Sequence, residues 1–418
     1  MRKKLPILSA MLLSFMFTLN CIASEKLDVA ILVASANQRL LLTSLLNEFA
    51  NTQPDIDISY TLYTDAEYKK AVSKWLEQGH GPDILNWQAG ERLIHYVRSG
   101  KVQAIDKVWR THNLDSQFSS NTKSAIMWQQ HVYAIPVAYY YWGIYYRKSL
   151  FKKYNLQEPK TWREFVELSQ VLKNNHITAL TIGTRNHWPA AGWFDYLNLR
   201  INGLEFHHQL LNGEIAFTDS RVRDVFTYWK TLIDKGFFNE KPQLLMWDEA
   251  MYKLFRKQAA MTLMGTFLNG RIPEELQSDF GFFRFPIIKQ DVGIYEDAPL
   301  DVFIVPYYTK LDNKIERFMN FLASANFQQT LNKSVGTLSA NIHAKQGGSE
   351  ILDISYVMHQ QAAGTVNYFD RDARVDMAGK SIIVFADFLN NPDIELTLNK
   401  LEAIRKNRVN EPLKSNTH

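Results

Sequence analysis

The sequence predicts an α/β protein built as more than one lobe, and three observations carry that expectation. From residue 27 onward, short apolar runs of strand character alternate with stretches whose apolar residues recur at helical spacing, the pattern of helices laid on a sheet. At 418 residues, with about one domain per 150 residues, two or three domains are expected. A composition of 46% hydrophobic residues, with 25 Phe, 19 Tyr and 10 Trp, supplies the side chains for cores of that size and excludes a disordered chain.

The elements follow in order. Leu27 to Ala34 is a buried strand; Leu41, Leu45, Leu46 and Phe49 mark a helix that ends at Pro54; Ile56, Ile58, Tyr60 and Leu62 alternate as a second strand. That is a β-α-β opening. Tyr68 to Leu76 is helical and is stopped by Gly79 and Gly81-Pro82, after which Asp83 to Trp87 is a short strand running into a loop; strand ends of open α/β sheets are where ligands sit. Tyr133 to Tyr146 is a long extended apolar run broken only by Pro136. Thr161 and Glu164 have capping-box spacing ahead of Trp162, Phe165, Leu168 and Leu172 on one helical face. Ala179 to Ile182 is a strand running into the loop 183–189, Ala259 to Leu263 a strand before Met264-Gly265, and Phe280 to Phe285 a strand ending at Pro286. Val302 to Val305 is a last strand, followed by a helix carrying Ile315, Phe318, Met319 and Leu322, and the charged tail beyond Lys400 is expected to fray.

Arg2, Lys3 and Lys4 precede an apolar run from Leu5 to Leu19, then Cys21-Ile22-Ala23 and polar residues. This is the layout of a secretory signal peptide cut after Ala23, removing residues 1–23; a membrane anchor would want about 20 apolar residues. A lipid anchor on Cys21 is the alternative, but Thr18-Leu19-Asn20 lacks the small residues of a lipobox. Removing three basic and no acidic residues takes the formal net charge from +4 to +1 and leaves no cysteine. A cysteine nucleophile, a thiolate metal site and a disulfide framework are thereby excluded, and so weak a charge speaks against nucleic-acid binding.

Catalytic signatures are mostly missing. There is no G-x-S-x-G elbow, no H-E-x-x-H pair and no G-x-G-x-x-G loop. His207-His208 is the one paired histidine and reads as a solvated turn. Neither metal nor cofactor is expected. A secreted glycan hydrolase or lyase would need a carboxylate pair with a raised pKa, drawn from loop acids such as Asp65, Asp195, Asp301 and Asp370.

What repeats instead is an aromatic ring near a strand end beside amide or acid groups: Trp87 with Asn86 and Gln88, Tyr139 to Trp142, Trp188 and Trp193 with Asn186 and Asp195, Phe267 with Asn269. A flat ring fits the C–H face of a pyranose while neighbouring polar groups bond its hydroxyls. Trp75, Trp109, Trp128, Trp162 and Trp229 lie in helical patterns and are assigned to cores.

Gly81-Pro82-Asp83-Ile84-Leu85, the stretch from Tyr133-Ala134-Ile135-Pro136-Val137 to Gly143-Ile144-Tyr145-Tyr146-Arg147, Thr161-Trp162-Arg163-Glu164-Phe165, Ala260 to Gly265 and Gly281 to Pro286 resemble, in the same order, blocks of the family 1 extracellular solute-binding proteins, the periplasmic sugar receptors of ABC importers. The resemblance implies a periplasmic binding protein fold, type II-like: two α/β lobes joined by a multi-strand hinge, with the ligand cleft between them and closure that buries the ligand. It implies crossings at Ile135 to Tyr139, at Phe285 to Gln290 and after the helix of Phe318 and Leu322, hence an N-lobe of residues 24–136 plus 289–324 and a C-lobe of 137–288 plus 325–418. It places Asn37, Asp65, Trp87, Tyr140, Trp188, Trp193, Phe267, Asn269, Asp301, Asp370 and Arg371 at the carbohydrate. Asp301 stands where relatives have a Gly-Gly pair, and Arg371 offers a bidentate group for a uronic acid carboxylate. A periplasmic monomer follows, which captures a mono- or oligosaccharide and hands it to the membrane permease of an ABC transporter. The alternative output is a membrane sensor kinase or chemoreceptor.

Overall fold

The computed structural model describes residues 24–33 and 35–407. The expected signal peptide and the Cys21 alternative lie outside them. Among the described residues, two larger sheets organise the chain. The first has six strands in the order Leu338–Ser339, Ala134–Tyr139, Leu300–Ile304, Ile84–Gln88, Glu25–Leu32, Ile56–Tyr63. Glu25–Leu32 runs parallel to both neighbours, with Leu27 opposite Ile58 and Val29 opposite Ile84. Leu300–Ile304 is antiparallel to both of its own neighbours, Val302 lying opposite Trp87 on one side and Pro136 on the other, with the register shifting between Asp301 and Val302. The second sheet has four strands in the order Phe280–Phe283, Trp142–Arg147, Ala259–Gly265, Thr178–Leu180.

Local chemistry explains the boundaries. Helix Asp65–Gln78 ends on Gly79 at φ 74°, the left-handed turn that only glycine enters cheaply. Thr161 and Glu164 form the expected capping box at the start of Trp162–Asn174. The single apolar run from Tyr133 to Tyr146 is two strands in two different sheets, parted at Tyr140-Tyr141. Each β-strand has two faces to bury, so a run without alternation fits either lobe.

Each sheet carries its own core. The first packs Leu27, Val29, Ile84, Ile135, Phe303, Phe318 and Phe327; the second packs Tyr145, Leu180, Trp193, Phe194, Trp229, Met261, Phe282 and Phe385. Phe194 stacks on Phe385 with centroids 4.4 Å apart, an arrangement that adds about 1 kcal/mol beyond the burial of the two rings. The cores divide the chain differently from the boundaries expected at 136/137, 288/289 and 324/325. Ala298 still packs in the second core, because Tyr295–Asp297 pairs with Gly364–Val366, and the chain re-enters the first core at Leu300. Helix Ala325–Val335 stays with the first lobe: Phe327, Leu331 and Val335 face its core, while Gln328 Nε2 and Asn332 Nδ2 donate to the carbonyls of Pro136 and Val137 at 2.8 and 2.9 Å. The last crossing therefore falls between Ala340 and Ile351. The tail is helical through Lys406, since Leu398 and Leu401 are buried against the second core.

Candidate functional site

The carboxyl ends of the parallel strands Glu25–Leu32 and Ile84–Gln88 open onto two small adjoining cavities of about 30 and about 10 Å³, both lined by Leu32, Asn86 and Asp301. Tyr140, Gln38, Asn332 and Thr337 are the other polar side chains of the larger, whose remaining lining is apolar and includes Ile31, Leu42, Phe303, Leu331 and Val335, while Trp87, Gln88, Tyr68 and Lys69 complete the smaller. Asn86 is held from both sides: its Nδ2 donates to the Val302 carbonyl at 3.0 Å and its own carbonyl accepts the Tyr68 hydroxyl at 2.6 Å. Such space holds about one to three waters and no pyranose.

The second lobe faces this region with an aromatic wall. Trp247 and Phe267 meet edge to face at 5.6 Å, Trp188 lies 6.1 and 6.2 Å from these two, and Tyr140 abuts Phe267 at 5.9 Å. Trp142 stacks on Tyr368 at 4.5 Å behind them, and the Arg271 guanidinium sits over Trp247 at 5.5 Å. Trp188, Trp247, Phe267 and Tyr140 are all only partly buried. Gly265 permits the wall: a Cβ there would stand 2.5 Å from the Phe267 ring.

Charged groups join the wall to the cavities. Arg371 Nη1 donates to Asp301 Oδ1 at 2.9 Å and its guanidinium lies 5.7 Å from the Tyr140 ring centroid, while the Tyr140 hydroxyl donates to Asp301 Oδ2. Arg92 donates through Nη2 to Asp370 Oδ2 at 2.6 Å and through Nε to the Asp370 carbonyl at 2.8 Å. Burial alone would push the Asp370 carboxyl up; Arg92, Lys69 and Arg371 hold it below the usual carboxylate range instead.

Trp193, expected at the ligand, stands elsewhere. Trp193 is 1% exposed and wedged between Phe165, Phe238 and Phe285, so it belongs to the second core; the loop ends at Pro189, and the helix Pro189–Leu211 turns Trp193 inward. Asp195 and, beyond the break in the helix at Gly203, His207 are fully buried, and burial drives the imidazole down to about 3, so His207 is a neutral core side chain rather than part of a solvated turn. Trp87 lines the smaller cavity but is 7% exposed, packed on Tyr68 and Tyr96 with its Nε1 donating to the Arg92 carbonyl. Asn37 is exposed in the first turn of Ala36–Thr52. Asp65 opens its helix, and its side chain lies outside the described residues. Asn269 Oδ1 accepts the Tyr145 hydroxyl at 2.9 Å, and its Nδ2 is buried without a hydrogen-bond partner among the described residues.

The reading of the residues missed Trp247, Arg92 and Tyr368. Trp247 carries a signal that could have found it, since an aromatic residue begins a helix at whose third position Glu249 accepts from the Met246 N–H at 2.7 Å. Arg92 and Tyr368 have no comparable local signature.

Two α/β lobes, with small cavities at the strand ends of the first and an aromatic wall on the second, define a two-lobed ligand receptor. The chain belongs to the bacterial extracellular solute-binding proteins, whose family profile matches residues 35–329. It is 24% identical over 331 residues to an uncharacterized ABC transporter extracellular-binding protein of Pyrococcus horikoshii, covering 77% of this chain and 73% of that one. It is 22% identical over 321 residues to a multiple sugar-binding protein of Streptococcus mutans, covering 73% and 74%. Its fold is that of a bacterial solute receptor with a preference for β-D-galactopyranose, at TM-score 0.85 and 24% identity over 91% of this chain and 97% of that one. A chitin oligosaccharide binding protein shares it at TM-score 0.84 and 18% identity over 91% and 98%.

Proposed function

We propose that this protein is the extracytoplasmic receptor of an ABC importer, acting as a monomer that captures a carbohydrate by lobe closure and presents it to a membrane permease. The observation that carries the reading is the wall of Trp188, Trp247, Phe267 and Tyr140 set against cavities lined by Asn86, Gln38, Asn332 and Asp301. Rings of that kind take the apolar face of a sugar, and amides and carboxylates take its hydroxyls. The relatives named above support a sugar and a transporter as the partners of the cleft. The reading involves no covalent step: Asp370 is kept ionised by its arginine and Asp301 is paired with Arg371, the opposite of what a general acid needs, and Asp195, whose carboxyl burial pushes up, is enclosed in the second lobe. Ligand contacts to both lobes shift the population toward closure.

A thermal-shift screen over neutral mono- and oligosaccharides, polyols and uronic acids tests this. A ligand at about 100 times its Kd adds about 2.7 kcal/mol of stability. A library that leaves the melting temperature unmoved would sink the carbohydrate reading.

A further inference from the structure

The two tryptophans of the aromatic wall come from different parts of the chain, Trp188 from the loop ahead of helix Pro189–Leu211 and Trp247 from the first position of helix Trp247–Phe255. Their rings nevertheless lie 6.1 Å apart at 57°. Main-chain bonds stitch the two segments together. The Thr184 N–H donates to the Pro242 carbonyl at 2.8 Å, and the Arg185 N–H to the Leu245 carbonyl at 2.9 Å. Just ahead of these donors is Gly183, which is buried. A Cβ at Gly183 would collide with the Met246 carbonyl oxygen and stand 2.6 Å from the Met246 carbonyl carbon and 2.9 Å from the Leu245 oxygen. The residue after Met246 is Trp247.

We propose that Gly183 is the positioning residue of the solute surface, fixing the separation and angle of Trp188 and Trp247 through the backbone of Met246. This deepens the receptor reading above and rests on it. The kind of atom in the way decides the matter. At Gly265 an added Cβ meets the rings of Phe267 and Trp142, side chains that can turn about their χ angles. At Gly183 it meets only main chain, and the carbonyl carbon it crowds is bonded to the nitrogen of Trp247. Peptide units are rigid planes, so relief at Met246 moves the start of the next helix and the indole with it. A binding surface built from rings needs them held to within about 0.5 Å.

Glu249 fastens the same junction from the side of the solvent. Its Oε2 accepts the Met246 N–H at 2.7 Å and its Oε1 accepts Arg185 Nη2 at 3.0 Å, so one carboxylate holds both segments. Trp188 is fixed from behind: the Tyr368 hydroxyl donates to the Trp188 carbonyl at 2.5 Å and accepts the Gly192 N–H at 2.8 Å. With Trp188 anchored and the Met246 backbone set against Gly183, main-chain packing rather than ring contact sets the gap between the indoles.

The experiment is Gly183→Ala, read by circular dichroism on protein without added sugar, where two indoles this close give an exciton couplet. The part of that signal due to Trp247 is the difference between wild type and Trp247→Phe. Gly183→Ala is expected to reduce or invert that part, and to leave the indole signal unchanged when made in Trp247→Phe. Binding of the sugar with the largest shift in the screen is expected to weaken about fivefold, less than on removal of the Trp247 ring. In Trp247→Ala the same substitution is expected to add no further loss, since both act through one ring. Glu249→Ala, which truncates a half-buried side chain, is expected to shift the couplet in the same direction by less, and decides the matter if Gly183→Ala fails to fold. A folded Gly183→Ala with the wild-type couplet, binding losses that add to those of Trp247→Ala, or an unmoved couplet in Glu249→Ala would overturn the proposal. An altered couplet in a protein that no sugar stabilises would leave Gly183 as the positioning residue of the two rings and remove only the carbohydrate reading.

Discussion

Trp247 and Phe267 meet edge to face with their centroids 5.6 Å apart and their planes at 87°. One opens a helix, Trp247–Phe255, and the other follows the strand Ala259–Gly265, so the aromatic wall is assembled at the junction of two elements whose hydrophobic patterns say nothing of each other. Both rings keep part of their surface open.

From that position, Trp247→Ala and Trp188→Ala are each expected to weaken solute binding by about tenfold or more, the order of one lost stacking contact with its buried area. The measurement is the ligand-induced rise in melting temperature for the best sugar from the screen. Shifts equal to that of the wild type would take these rings out of the binding surface.

Trp193→Ala should behave differently. Its ring is enclosed by Phe165, Phe238 and Phe285, so truncation leaves a cavity and costs about 3–5 kcal/mol of stability. Chemical denaturation would show a lowered midpoint, with ligand affinity retained in the protein that remains folded. An unchanged midpoint would return Trp193 to the surface.

Asp297 is fully buried on the strand Tyr295–Asp297, with neither carboxyl oxygen hydrogen-bonded among the described residues, and burial pushes its pKa well above the ordinary 3.8 of an aspartate despite the nearby Arg371. Below that value the group is protonated in both states and costs nothing. As pH rises through it, the unfolded chain releases a proton that the folded chain keeps, so stability falls. Asp297→Asn is expected to melt higher than the wild type at pH 7 and at the same temperature near pH 3. A constant difference across that range would rule out titration as the cause.

Asp279 has the opposite sign. Burial would raise its carboxyl, but Ser149 and the buried Arg147 overcome this and bring it to about 2. The resulting stabilisation is complete above the ordinary value of 3.8 and disappears as pH falls through about 2. Asp279→Asn should therefore melt below the wild type at neutral pH, with the gap closing toward pH 2. A gap that widened in acid would contradict the assignment.

Fold class and most of its punctuation are legible in the chain. Alternating strand and helix periods, Gly79, and the capping box of Thr161 and Glu164 act within a few residues, and short-range chemistry is legible in a linear string. Tertiary structure decided where each element was spent. The periodicity of helix Ala325–Val335 reveals an apolar face, yet only Gln328 and Asn332 reaching the carbonyls of Pro136 and Val137 bind that face to the first lobe. Trp193 and Trp188 look alike in the chain, and the first turn of one helix buries the former and leaves the latter at the wall. Asp370 and Arg371 stood out as polar residues in a late loop, while their partners Arg92 and Asp301 are far away along the chain. Burial and charge pairing act through space, so the partners of Asp370 and Arg371 are legible only in the folded chain.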